Sequence, residues 1–298
     1  MAETLILQLI AMGSVMILGI LGEIIAERSG VVNLSIEGSI AMSAASAYAA
    51  AIYFSNSFIG LLIGSLSGII PSLFLSLLST YLPMNMIVVG ITLSSIFSAV
   101  SIAIGNIVPR LPQNRILILS DDATIYFIFS ISVALSIATY IMIMRRRIGL
   151  LMRSVGEDPY TALSMGINIW RIRTLSALIS GFFGGLVGSL VILSPMISVI
   201  WREGVTSGLG YIIVAITPAT LWNPLLSIPL GIFVGAISFL SILLQTSGIL
   251  PISTDEANLI PYVIALVIYV FVRIVLLKKL IAVPKALARE IILEERYE

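Results

Sequence analysis

The sequence contains neither cysteine nor histidine. Disulfides, thiolate metal sites, histidine-ligated haem, Ser-His-Asp triads and Cys-His dyads are therefore excluded together. Carboxylates, or a Ser/Lys or Tyr arrangement, are the acid–base chemistry that remains. Charge is also scarce: 16 Lys plus Arg and 15 Asp plus Glu amount to 10% of 298 residues, too little to clothe a soluble domain of this size. The lysines are Lys278, Lys279 and Lys285, none in a G-x-x-x-x-G-K context, so the chain has no P-loop for ATP. In contrast, 59% of residues are hydrophobic and the mean hydropathy is +1.13, an excess that has to face lipid. The net charge of +1 carries no basic face, because the positive residues stand at the ends of apolar runs, and nucleic acid is not an expected partner.

The apolar runs are long and do not alternate, so they read as membrane-crossing helices, which satisfy their own backbone hydrogen bonds in lipid. The expectation is an all-α integral membrane protein, a polytopic bundle of about nine spans (eight to ten). They cover 4–22, 34–54, 58–80, 84–104, 124–144, 174–198, 206–222, 225–245 and 259–277. Met1 to Glu3 carries no positive n-region and charged Glu23, Glu27 and Arg28 follow the first run, so that run reads as a span and not a secretory signal. Lys and Arg concentrate in two segments. Arg145, Arg146, Arg147, Arg153, Arg171 and Arg173 lie in one, and Arg273, Lys278, Lys279, Lys285, Arg289 and Arg296 in the other. Four spans separate the two, and another four separate the first from Arg28, so all fall on the cytoplasmic side by the positive-inside rule. Arg110, Arg115 and Arg202 fall outside, with the N-terminus. Residues 1–277 then form the transmembrane domain with a cytoplasmic loop at 145–173, and 278–298 form a cytoplasmic tail.

Two stretches resist a simple reading: 22–38 (GEIIAERSGVVNLSIEG) and 201–210 (WREGVTSGLG). Both suit broken or re-entrant helices, on opposite sides and each before a helix rich in small residues, as inverted-repeat transporters arrange them; two unrelated irregular connections fit equally well. Intramembrane charge is expensive and usually functional. At membrane depth Glu27 would pair with Arg28, and Asn33 and Glu37 would face a solute pathway; at the interface all are ordinary turn residues. Trp201, Arg202 and Glu203 suit an outer-mouth contact or a headgroup anchor. Gly181, Gly184, Gly185 and Gly188 read as a face for close helix packing.

The loop 145–173 is the most informative segment. Asp158 suits an N-cap, Pro159 the first helical position and Gly166 the position past the end, so 159–165 reads as a two-turn helix, too short to stand alone in water. It must dock on something. The run GEDPYTALSMGIN resembles the G-E-N-P-x-A-A-x-x-G-I-N loop of ABC importer permeases of the branched-chain amino acid, ribose and nucleoside class, with Asp158 where Asn is commoner. ERSGVVNLSIEG from Glu27, MNMIVVGITLSSI from Met84 and WREGVTSGLGYIIVAITPATLWNP from Trp201 resemble the same family and lean toward its nucleoside and simple-sugar members. Ser35 stands where Gly is usual, Leu209 where Arg is frequent, and Tyr211 for Trp. The resemblance implies that Gly156, Glu157, Asp158, Pro159, Ala162, Leu163 and Gly166 couple the chain to an ATPase, and that Asn33, Glu37, Asn85 and Tyr211 are pathway candidates. It implies no cofactor on this chain, ATP and magnesium being held by a partner ATPase subunit. The other implied partners are a second permease subunit, preferably a different one, an extracytoplasmic substrate-binding protein and membrane lipid, in the plasma membrane. A proton-coupled secondary transporter using Glu23, Glu27 or Glu37 is the alternative; a membrane enzyme is disfavoured.

Overall fold

A computed structural model of the chain describes residues 2–82, 84–108, 122–194, 201–206, 208–247, 253–276 and 283–289, all regular structure among them being helical. The helices are α1 (Ala2–Arg28), α2 (Ile36–Phe54), α3 (Ser57–Ser67), α4 (Ile69–Ser76), α5 (Met86–Ile107), α6 (Asp122–Arg145), α7 (Arg147–Glu157), α8 (Pro159–Ser164), α9 (Ile169–Leu193), α10 (Leu209–Ile216), α11 (Ser227–Thr246) and α12 (Thr254–Leu276). Six stretches are long and apolar enough to cross a membrane: Glu3–Arg28, Ser57–Tyr81, Met86–Ile107, Asp122–Arg145, Ile169–Leu193 and Pro224–Thr246. The chain is a polytopic helical membrane protein. Three runs read as spans fall short of that standard among the described residues. Helix α2 is diluted by serine, alanine and Glu37, α10 with its 3-10 extension runs only Leu209–Thr220, and the apolar part of α12 is Glu256–Val272.

Helix α1 is the axis of the bundle. It is apolar around its whole circumference, and from Val15 to Ala26 its described hydrophobic residues are at most 3% exposed, the pattern of a helix surrounded by others. It packs on α9, α11 and α6, while α2 packs on α3, α5 and α9. Helix α1 does not stop near residue 22 as the hydropathy suggests. Glu23 and Glu27 stay helical inside the protein because each finds donors there, Asn33 and Ser180 for the first and Trp222 for the second. The irregular part of the first break shrinks to residues 29–35.

The glycines of α9 behave as a packing face. A Cβ on Gly185 would stand 2.3 Å from the Ser65 carbonyl oxygen, and one on Gly188 would stand 2.1 Å from that of Ile40, so α3 and α2 lie against bare backbone. Serines complete these seams without exposing their hydroxyls: Ser65 donates to Leu61 O, Ser189 to Gly185 O and Ser43 to Ile40 O, each within its own helix. Outside the bundle, hydrophobic side chains of α3, α5, α6 and α12 such as Phe58, Val88, Phe127 and Phe271 are more than half exposed, the surface expected to meet lipid.

Candidate functional site

Two regions collect the residues singled out from the sequence. The first is the connection between α6 and α9. Asp158 Oδ1 accepts the amide protons of Tyr160 (3.0 Å) and Thr161 (3.1 Å), and Oδ2 accepts the Thr161 hydroxyl at 2.5 Å. Donation from the Thr161 hydroxyl, then from its amide, holds the Asp158 carboxyl below the usual carboxylate range. At the other end Gly166 has φ +83, its amide bonds Leu163 O (2.9 Å) and the Ile167 amide bonds Ala162 O (3.0 Å), which is a Schellman stop. A six-residue helix capped at both ends is thereby fixed to the body through Val155, Ala162 and Ile169.

The expected coupling residues divide by direction. Gly156, Pro159 and Ala162 are buried and hold α8 in place; Glu157 and Leu163 are half-buried; Asp158 and Gly166 are exposed beside Thr161, Ser164 and Met165, the last 74% exposed. Helix α7 was not foreseen. Its signal was present in the spacing of Ile148, Met152 and Val155 on one face, masked by the surrounding arginines.

The second region lies further into the bundle. Gly184, which faces Ile36 and Ser39, is eleven residues beyond Arg173 on α9, about 16 Å of axial rise. At this level Glu37, at the start of α2, meets the start of α10: Oε1 accepts the Thr206 hydroxyl at 2.6 Å and Oε2 the Gly210 amide at 2.7 Å. The carboxylate therefore caps another element's helix, where its charge complements the N-terminal dipole. Tyr211 Oη and Ser94 Oγ are 2.9 Å apart beside it. Glu37, Ser98, Ser101, Trp201 and Thr206 line a cleft of about 160 Å³.

Asn33 sits closer to the α7–α8 end, with every hydrogen-bonding group of its side chain used. Nδ2 donates to Ser72 Oγ and Ser180 Oγ (both 2.9 Å), Oδ1 accepts from Ser35 Oγ (2.6 Å), and the Asn33 amide donates to Glu23 Oε1 (2.8 Å). This knot joins α1, α4, α9 and the turn before α2. Asn85 is apart from it, as the N-cap of α5, accepting from Ile87 and Val88 amides. Glu27 and Arg28 do not pair with each other: Glu27 accepts from the Trp222 indole, and the Arg28 guanidinium donates to Trp222 O, at 3.0 Å from Nη2. Two charges side by side on one turn point apart, and both fasten the α10–α11 connection. Trp201 is 2% exposed, stacked on Tyr48 at 6.0 Å and fitted against Gly105, so it is internal, whereas Arg202 and Glu203 are exposed. Residues 109–121, 195–200, 277–282 and 290–298, with Arg110, Arg115, Lys278, Lys279 and Arg296, lie outside the described residues.

The buried polar knot, the carboxylate bridging two helix starts and the capped helix at one end can be set beside known proteins. The chain is 25% identical over 279 residues to the guanosine ABC transporter permease protein NupQ of Bacillus subtilis, covering 84% of this chain and 86% of that one. It is 25% identical over 272 residues to the nucleoside ABC transporter permease protein NupC of Lactococcus lactis, covering 83% and 85%. A candidate glucose ABC transporter permease of Haloferax volcanii is 27% identical over 232 residues, 71% and 68% of the two chains. No solved structure matches significantly. Residues 5–276 match the family described as branched-chain amino acid transport system / permease component, and the chain belongs to that family.

Proposed function

We propose that the chain is the membrane-spanning subunit of an ATP-driven importer that carries a nucleoside or a simple sugar such as ribose into the cell. The observation that supports this most directly is α8. A self-sufficient carrier has no use for a six-residue helix capped at both ends and presenting Thr161, Ser164 and Met165 outward, whereas a subunit driven by a separate ATPase needs a rigid knob to be pushed. The names of the relatives, guanosine, nucleoside and glucose permeases, support the solute class.

In this reading nine segments cross the plasma membrane, the N-terminus is outside, and 278–298 follow α12 on the cytoplasmic side. Glu37, Tyr211, Asn33 and Asn85 belong to the pathway region, Glu37 lining the cleft, Tyr211 following the Gly210 that Glu37 bonds, and Asn33 as a support behind it. A second, different permease subunit completes the pathway, and a substrate-binding protein delivers the solute. The test is uptake of radiolabelled nucleosides and ribose-like sugars in cells expressing the complete neighbouring operon, with this chain wild type or carrying Asp158→Gly and Ala162→Asp together. Loss of ATP-dependent uptake of one class, with the protein still in the membrane, is the expected outcome. Uptake that persists without any ATPase and collapses with the proton gradient would assign the chain to secondary transport instead.

A further inference from the structure

The segment 283–289 is joined to the body at four points. It makes a turn at Lys285–Ala288 whose amides reach two different elements: Ala286 donates to Gly156 O at 2.9 Å and Ala288 to Gly30 O at 3.0 Å. Its carbonyls receive a third, since Arg173 of α9, fully buried, donates from Nη1 to Arg289 O at 2.9 Å and from Nη2 to Ala286 O at 3.4 Å. The Arg289 guanidinium lies over the Tyr160 ring of α8, 5.7 Å from its centroid. Ala286 is 1% exposed, so the turn is inserted and does not merely rest on the surface. The elements it ties also touch directly: a Cβ on Gly156 would stand 2.3 Å from Arg28 O, leaving α7 and the end of α1 in backbone contact. Gly30 is three residues from Asn33, whose knot leads into the bundle.

We infer that the 283–289 turn is a transmission strut, which makes α8, the turn between α1 and α2, and α9 move as one body, so that force on α8 reaches the Asn33 knot. Arg173 is its positioning residue. A guanidinium buried among carbonyls is costly unless its donors are met; the turn supplies acceptors for both terminal nitrogens, while Nε is left without a partner. Two of the turn's residues are exposed, Lys285 and Arg289, and Arg289 is held through its carbonyl by Arg173 and through its guanidinium by the Tyr160 ring. Coupling through such contacts operates through a shared rigid element that both ends bias. The inference rests on the importer reading above for what the motion accomplishes, but the rigidity it asserts is independent of that reading.

Ala288 offers the probe. Its φ is +58, a conformation open to glycine and closed to proline, and its amide is the one bonded to Gly30. In the complete complex Ala288→Pro is expected to leave the ATPase subunit bound and hydrolysing ATP while uptake falls about tenfold, within the usual span of coupling effects. Ala288→Gly is expected to retain full uptake. Wild-type uptake in Ala288→Pro, or loss of ATPase binding in step with loss of uptake, would overturn the strut. Should Ala288→Pro fail to reach the membrane, spin labels at Lys285→Cys and Met165→Cys, both exposed in a chain with no native cysteine, decide the matter. One narrow distance unchanged between nucleotide-free and ATP-trapped complex supports the strut, and a shifted or broadened distribution refutes it. The same distance in the chain purified alone reads out the strut even if no ATPase proves to be its partner.

Discussion

The bridge from Glu37 to α10 lends itself to a quantitative test. Its two oxygens receive the Thr206 hydroxyl and the Gly210 amide, both buried. In Glu37→Gln the amide oxygen can keep Gly210, but the amide nitrogen can only donate to the Thr206 oxygen, so one buried hydroxyl loses its acceptor along with the charge at the start of α10, about 1–3 kcal/mol. In Glu37→Ala two buried donors lose their acceptor, at about 1–3 kcal/mol each, or about 2–6 kcal/mol in all. Thermal unfolding of the purified protein in detergent, followed by tryptophan fluorescence, should therefore rank wild type above Gln and Gln above Ala. At roughly 2–4 °C per kcal/mol the Ala variant separates clearly. Thr206→Val provides the control: its loss should be smaller in the Ala background than in wild type, with a coupling of about 0.5–3 kcal/mol. Equal melting of Ala and Gln, or strict additivity with Thr206→Val, would refute the bridge. If uptake is unchanged in both Glu37→Gln and Asn33→Ala at normal expression, neither residue belongs to the pathway.

Further outcomes follow from the geometry. Asp158→Ala should cost α8 about 1 kcal/mol and show as faster amide exchange at Tyr160 and Thr161. Since the folded Asp158 carboxyl titrates below its ordinary value, its cap is complete above about pH 3.9 and is lost as pH falls through the folded value; Asp158→Asn should cap without that acid dependence. Gly188→Ala, whose new methyl would meet the Ile40 carbonyl oxygen at 2.1 Å, should destabilise by about 1–3 kcal/mol, measured by detergent melting. Gly166→Ala meets nothing within 4 Å and should show only the cost of φ +83, about 1–2 kcal/mol confined to α8. Trp222→Phe leaves Glu27 without its indole donor and should lower stability by about 1–3 kcal/mol in the same assay. For orientation, an impermeant maleimide applied to intact cells should label Tyr53→Cys and not Met165→Cys, which are 82% and 74% exposed; the reverse pattern would invert the topology.

The parts of this structure legible in the sequence are those decided locally. Asp158, Pro159 and Gly166 specify the two ends of α8 because capping and left-handed stops involve neighbours within a few residues. The long apolar runs announce helices because lipid allows little else. Helix α10 shows the limit: hydropathy suggests a span at 206–222, but the helix begins at Leu209, passes into a 3-10 turn near Pro218 and ends at Thr220, shorter than a full-length span. What the sequence hid depends on distant partners. Ser180 lies 147 residues from Asn33, and Thr206 lies 169 residues from Glu37, so a buried carboxylate reads the same whether it meets a solute or caps a helix. The same holds for the C-terminal segment, which reads as a basic tail until Arg173 and Gly156 are seen against it.

The serines divide the bundle mechanically. Along the seam of α9 with α2 and α3, the hydroxyls of Ser43, Ser65 and Ser189 are spent on their own helices, so separating those helices would strand no donor. Around Asn33 the Ser180 hydroxyl and the Asn33 side-chain amide are spent across elements, and separation would leave each unmatched in a dry interior. If the proposed transport cycle opens and closes the bundle, its hinge line and its rivet are laid down in advance, drawn by which way each hydroxyl points.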